Sequence, residues 1–158
     1  AGRELRELHD LLDEFPGALV PLSSVLDEAR ALIDRCGLSG LREPLRASRA
    51  AVEEVDWTIH PLHGDAHAGN LLSTASGALW TDFEDSCAGP AEWDLACLVF
   101  GSADGPAALD AYGYQGDPAA LEPFVEARAL QVAAWTALMA EHHHQLRPRL
   151  AQRLARWT

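Results

Sequence analysis

Apolar residues recur at helical spacing over most of this chain. In "RELRELHDLLDEF", Leu5, Leu8, Leu12 and Phe15 fall on one face, and Pro16-Gly17 ends the pattern. Val25, Leu26, Ala29, Leu32 and Ile33 make a second stripe, which predicts a helix that follows Ser23 or Ser24 and stops at Gly37. A third stretch, "LREPLRASRAAVEEV", carries Pro44 near its first turn, where a missing N–H costs little. Later, "AEWDLACLVFGS" resumes the helical period behind Pro90, and "GPAALDAYG" reads as a short helix or turn. "DPAALEPFVEARALQVAAWTALMAEHHH" predicts a long helix capped by Asp117, and "RPRLAQRLARW" a final amphipathic one.

Between residues 57 and 86 that period is lost. "WTIHPLHGDAHAGNLLSTASGALWTDFEDS" consists of short apolar pieces broken by Gly, Pro, Ser and Asn. "NLLST" and "ALWTDF" flank Ser76-Gly77, which predicts a small hairpin. The expected fold is therefore mainly α, of α+β type, with one polar, non-helical insert. No repeat, low-complexity tract or linker divides the sequence, so residues 1–158 read as a single domain. Polar loops set in an apolar scaffold are where chemistry tends to sit.

Composition narrows the partners. The 48% hydrophobic content suffices for a core, and no apolar run approaches a membrane span. Three scattered cysteines, with no C-x-x-C pair and no visible signal peptide, point to a reduced, cytoplasmic protein. A formal charge of −12 argues against nucleic acid as a partner, because phosphate neutralisation needs clustered cations. All basic residues other than histidine are arginines, gathered in the first 50 positions and at the end. Residues 51 to 126 contain none of them. An acidic middle suits a cationic ligand, and also an ordinary solvated surface.

Two kinds of chemistry fit "HGDAHAGN" (residues 63–70). His63, Asp65 and His67 alternate, so an extended backbone would put all three on one face, as a zinc site needs. A metal-dependent hydrolase built on them would want more ligands, and the nearest histidine run, His142-His143-His144, is 75 residues further on. That run lies in a helical pattern, where adjacent positions cannot face one ion. Counted differently, His63, Asp65 and Asn70 fit H-x-D-x-x-x-x-N, the spacing of a kinase catalytic loop. Twelve residues after Asn70 comes Asp82-Phe83-Glu84, where kinases carry Asp-Phe-Gly with a magnesium-binding aspartate.

Taken together, "LHGDAHAGNLL…ALWTDFEDSCAGPAEWDLACL" resembles the core of the aminoglycoside phosphotransferase and choline kinase-like family of small-molecule kinases. Gly64 in place of the protein-kinase arginine, and the "GPAEWDLA" segment, favour that branch. The resemblance implies the helical C-terminal lobe of a protein-kinase-like fold, with a small β-hairpin carrying the catalytic and metal loops. It implies an ATP- or other NTP-dependent phosphotransferase acting on the hydroxyl of an aminoglycoside-, choline- or sugar-like small molecule, the first two of them cationic. Asp65 would then be the general base or the group that orients the acceptor. Asn70 and Asp82 would be Mg2+ ligands, hard oxygen donors from two loops. Glu84 and Asp85 would act through water or bind a cationic acceptor, and His67 would close the loop by a hydrogen bond. His63 and Asp94 would support the catalytic loop.

The same family carries an N-terminal lobe with a phosphate-covering loop and a strand lysine. This chain contains no lysine, and its first 55 residues read as helices. The expectation is a truncated domain, a C-terminal lobe whose nucleotide lobe is absent and which is inactive alone. A non-catalytic small-molecule-binding module with the same acidic cleft is the other reading.

Overall fold

The structure is a computed structural model that describes residues 1–75 and 77–158. Seven α-helices form most of it: α1 (Gly2–Leu12), α2 (Leu22–Arg35), α3 (Arg42–Glu53), α4 (Ala91–Val99), α5 (Gly105–Tyr112), α6 (Glu122–His142) and α7 (Arg147–Leu154). Four short strands lie between α3 and α4: β1 (His60–Leu62), β2 (Leu71–Thr74), β3 (Gly77–Trp80) and β4 (Cys87–Gly89).

The centre is α6. It buries alanines on several sides together with Phe124 and Leu130, and α2, α3, α4 and α7 all pack on it. A helix apolar around most of its circumference must be enclosed, and the small side chains let neighbours approach closely. Leu5 of α1, Ile33 of α2, and Trp93 and Leu95 of α4 complete a core in which each is essentially inaccessible. Among the described residues no helix is long and apolar enough to cross a membrane.

Several boundaries differ from the periodicity. Helix α1 ends at Leu12, and Phe15 is exposed, because the chain must turn at Pro16 before the helical face could reach it. Helix α2 opens at Leu22 behind an extended Pro21, one or two residues before the serines, and no side chain caps it. Proline's fixed φ supplies the entry geometry that a serine cap would otherwise fix. Asp117 does cap, through a 2.9 Å bond from the Ala119 N–H to its Oδ1, but it opens a 3-10 turn (Pro118–Leu121). The α-helix proper begins at Glu122, where Pro123 falls in the first turn. His142 closes α6, and His143 and His144 follow it into solvent.

The hairpin predicted around Ser76-Gly77 is β2–β3, antiparallel from Leu71↔Trp80 to Thr74↔Gly77; Ser76 itself lies outside the described residues. A second pair was not legible in the sequence. Strand β1 runs antiparallel to β4, from His60↔Gly89 to Leu62↔Cys87, and the Ala88 N–H also donates to the Val20 carbonyl at 2.7 Å. These ladders anchor both ends of the polar insert against α1 and α2, and the loop 63–70 is held between them.

Candidate active site

The loop begins where β1 ends. Gly64 has φ +86°, and a Cβ there would sit 1.8 Å from the Asp85 carbonyl oxygen, so only glycine lets the two acidic segments pass. Two donors meet its own carbonyl: Trp93 Nε1 at 2.8 Å and the Cys97 thiol at 3.7 Å. Burial pushes the Cys97 pKa up, so the sulfur stays a thiol and keeps the hydrogen it donates.

Beneath the loop lies Asp94, fully buried on the first turn of α4. Its Oδ2 accepts the His63 N–H at 2.8 Å and its Oδ1 the Gly64 N–H at 2.9 Å. Oδ2 also meets His9 Nε2 at 2.9 Å, and His9 Nδ1 in turn meets the Tyr112 hydroxyl. One carboxylate thus ties α1, α4 and the loop together, and its buried oxygens are satisfied as burial requires.

His63 is fully buried between Trp80 and Phe83, with ring centroids 5.3 and 4.6 Å away. Its Nε2 lies 2.9 Å from the Thr81 carbonyl and its Nδ1 3.2 Å from the Asp65 N–H. A carbonyl only accepts and an amide only donates, so the ring is neutral with its proton on Nε2. Both nitrogens are therefore spent on backbone, which removes His63 from the alternating zinc set. Among the described residues no group of three or more His, Cys, Asp or Glu side chains is placed to hold a metal.

Asp65 projects from this support. Its Oδ1 is paired with Arg128 Nη2, and Arg128 Nη1 is held by Gln131 Oε1 at 2.6 Å. Asn70 Nδ2 donates to the Asp65 carbonyl at 3.0 Å and to its Oδ2 at 3.2 Å. Asn70 sits in a 3-10 turn (Ala68–Asn70) capped by His67, whose Nδ1 accepts the Gly69 N–H at 2.9 Å. The Asn70 carbonyl then receives both the N–H and the hydroxyl of Thr81, at 2.9 and 3.2 Å. Asp82 follows directly, exposed and in the left-handed region at φ +68°, a conformation aspartate tolerates better than most residues. The hairpin length therefore brings the second acidic loop back to the first.

Asp65, His67, Glu84 and Asp85 line one cleft of about 730 Å³, closed on its far side by α6 and α7. Burial, then the charge of Asp65, raises the pKa of Asp85, with Arg128 partly offsetting both. Asn70 is buried behind Asp65, while His63 and Asp94 lie under the loop and outside the cleft. Arg128 is the residue that sequence reading missed. It is the single arginine between Arg49 and Arg147, set in an otherwise apolar helical run, and that isolation was the available signal. His9, inside the buried stripe of α1, was another.

A helical lobe of this order, carrying an Asp–Asn loop joined by a hairpin to a second aspartate, is a kinase-like fold. The sequence profile of the phosphotransferase enzyme family matches residues 1–124, and the chain belongs to that family. Stress response kinase A of Escherichia coli (strain K12) is 36% identical in an alignment 91 residues long that covers 52% of this chain and 27% of that protein. A choline/ethanolamine kinase family protein from Mesorhizobium loti superposes with a TM-score of 0.68 at 22% identity, over 98% of this chain and 59% of that one. Amicoumacin kinase, in complex with AMP-PNP, Ca2+ and Ami, gives a TM-score of 0.72 at 11% identity, over 98% of this chain and 57% of that one. The match thus spans about a quarter of the curated relative, and this chain little more than half of the solved kinases.

Proposed function

We propose that this chain is the acceptor- and metal-binding lobe of a phosphotransferase that moves the terminal phosphoryl group of ATP, or another nucleoside triphosphate, to a hydroxyl of a small molecule. One observation carries the reading: Asp65, Asn70 and the Thr81-Asp82 segment are stitched into a single unit on a kinase-like scaffold.

In that reaction the acceptor oxygen forms a bond to the terminal phosphorus, the bond to the nucleoside diphosphate breaks, and the acceptor proton passes to Asp65. Arg128 fixes Oδ1, so Oδ2, with a longer 3.2 Å contact to Asn70 and His67 Nε2 at 3.6 Å, is the oxygen left for the acceptor. Phosphoryl transfer needs little covalent help from protein, so holding this carboxylate in line is the main contribution. Asn70 and Asp82 fit a magnesium ion as hard oxygen donors, and the Nδ2 bonds to Asp65 leave the Asn70 amide oxygen as the ligand atom. Bound there with nucleotide phosphates, Mg2+ would neutralise the charge that develops on the transferring group. Glu84 and Asp85 flank the acceptor, and His67 and His63 hold the loop.

No lysine is present to pair with the phosphates, so turnover belongs to the whole protein and requires a nucleotide-covering lobe beyond these residues. Asp65→Ala in the whole protein is expected to lower phosphoryl transfer at least about 100-fold, the scale of a positioned proton acceptor, while nucleotide still binds. Radiolabelled phosphate transfer and nucleotide titration check this together. Full activity in the variant would remove Asp65 from the reaction. If a small molecule instead binds tightly with no requirement for metal or nucleotide, the chain is a binding module.

A further inference from the structure

The cleft beside Asp65 has two walls of opposite charge. Asp65, Glu84 and Asp85 form one; Arg128 of α6 with Arg149 and Arg153 of α7 form the other. Of the other arginines, Arg6, Arg35, Arg42, Arg46, Arg49 and Arg156 are paired with carboxylates, whereas Arg3, Arg30 and Arg147, all outside this cleft, make no ion pair among the described residues. Arg149 and Arg153 have no such partner among the described residues, although acidic groups outnumber basic ones two to one.

Two of these guanidinium groups also carry unsatisfied polar atoms. Arg128 is 7% exposed, and its Nε and that of Arg153 are buried without a hydrogen-bond partner. An orphaned buried donor costs about 1–3 kcal/mol, more on a charged group, and calls for an acceptor from outside the fold. Burial, then the positive charges of Arg149 and Arg128, hold the Arg153 pKa below its ordinary value. The three cations repel one another, and an anion among them would relieve both costs.

The fold supplies a reason for this crowding. Trp157 Nε1 and Arg156 both reach Glu126 of α6, at 2.5 Å each, which pins the turn after α7 to α6 two residues before Arg128. Helix α7 is thereby fixed with Arg149 and Arg153 turned into the cleft, and Trp135 and Met139 of α6 offer an apolar floor between them.

We propose that this arginine wall recognises an anionic group, a carboxylate or a phosphate ester, on the acceptor, which makes the acceptor a hydroxy acid and not a simple cation such as choline. Arg128 joins the two walls: it holds Asp65 and borders the anion site, so one small molecule spans the reacting hydroxyl and its own anionic end. The proposal rests on the phosphotransferase reading only for the place of the hydroxyl; anion binding stands without any transfer.

The test is calorimetric titration of the 158-residue chain at low salt with glycerol 3-phosphate, 3-hydroxybutyrate and choline. Saturable one-to-one binding of at least one of the two anions is expected, tighter than that of choline. The anion that binds identifies phosphate ester or carboxylate as the source. Arg149→Gln/Arg153→Gln should weaken that binding at least tenfold, and exposed Arg149→Gln alone, which no packing argument expects to unfold the chain, at least threefold. Arg147→Gln, on the same helix but outside the cleft, should leave it unchanged. Binding of choline with neither anion, no saturable binding of either anion, or equal anion binding by Arg149→Gln overturns the proposal. In the whole protein, Asp65→Asn should still bind the anion. Absence of phosphoryl transfer by a wild-type protein that does bind it would overturn the kinase reading and leave this one standing.

Discussion

Gly64 and Asp85 meet across the tightest approach in the loop. Ala at position 64 would combine a left-handed backbone with a Cβ inside the radius of the Asp85 carbonyl, both set by backbone atoms that cannot step aside. Gly64→Ala should therefore lower stability by at least about 2 kcal/mol, read as a fall in the urea midpoint at constant slope. Asp85 answers to pH. Its pKa is raised in the folded chain, so the folded state binds this proton more tightly than the unfolded one. Stability from this group is then full below the ordinary carboxylate range and is lost as pH rises through the raised folded value. Asp85→Asn is expected to raise Tm at about pH 7 and to make little difference at about pH 3, where both states of the wild type are protonated. Thermal melts across that range check it, and a wild-type chain more stable than the variant at neutral pH would show the sign to be wrong. Arg128 helps Asp65 and Asp85 coexist in one cleft, since it pairs with the first and its charge favours ionisation of the second.

At the scale of elements, Asp94 decides how the loop is carried. Helix α4 offers its first turn, and the carboxylate there collects two loop amides and a histidine from α1. Asp94→Ala removes one side of a buried charged network and should cost about 3–5 kcal/mol. Amide exchange at His63 and Gly64 should accelerate in that variant, while amides in the middle of α6 follow only the global loss. Exchange at the two loop amides unchanged relative to α6 would mean that the β1–β4 ladder, not Asp94, holds the loop. The hairpin β2–β3 has a geometric role. Its register closes Thr81 onto Asn70, and a one-residue slip would turn every side chain over and carry Asp82 away from the loop.

For the whole molecule, the helices form a floor under a charged cleft, which the proposed function makes one side of a phosphate clamp. Catalysis by positioning fails when one side of the clamp is missing. The 158-residue chain alone is expected to show no substantial ATP-dependent phosphorylation of any acceptor, measured by nucleoside diphosphate release, whereas the whole protein should turn over. Robust release by the isolated chain would show that Arg128 and its neighbours replace the lysine. The charge asymmetry of the sequence also takes on a meaning that −12 conceals: the two acidic loops and the arginines of α7 meet face to face.

Helical content, the hairpin and the Asp65–Asn70–Asp82 spacing were legible in sequence, because each rests on local rules: a 3.6-residue period, turn residues, and a loop motif within twenty positions. The kinase-like lobe followed from that spacing, and the family match agrees with it. The roles of Gly64 and His63 were less visible, since a close approach and a pair of ring hydrogen bonds are facts of three dimensions. Cross-chain partners were beyond local reading altogether. Arg128 lies 63 residues from Asp65, His9 lies 85 from Asp94, and the β1–β4 pairing spans the entire insert. Periodicity placed Arg128 on a helix and Arg153 on another; only the packing of α6 against α7 and the loop decided that both face the same cleft.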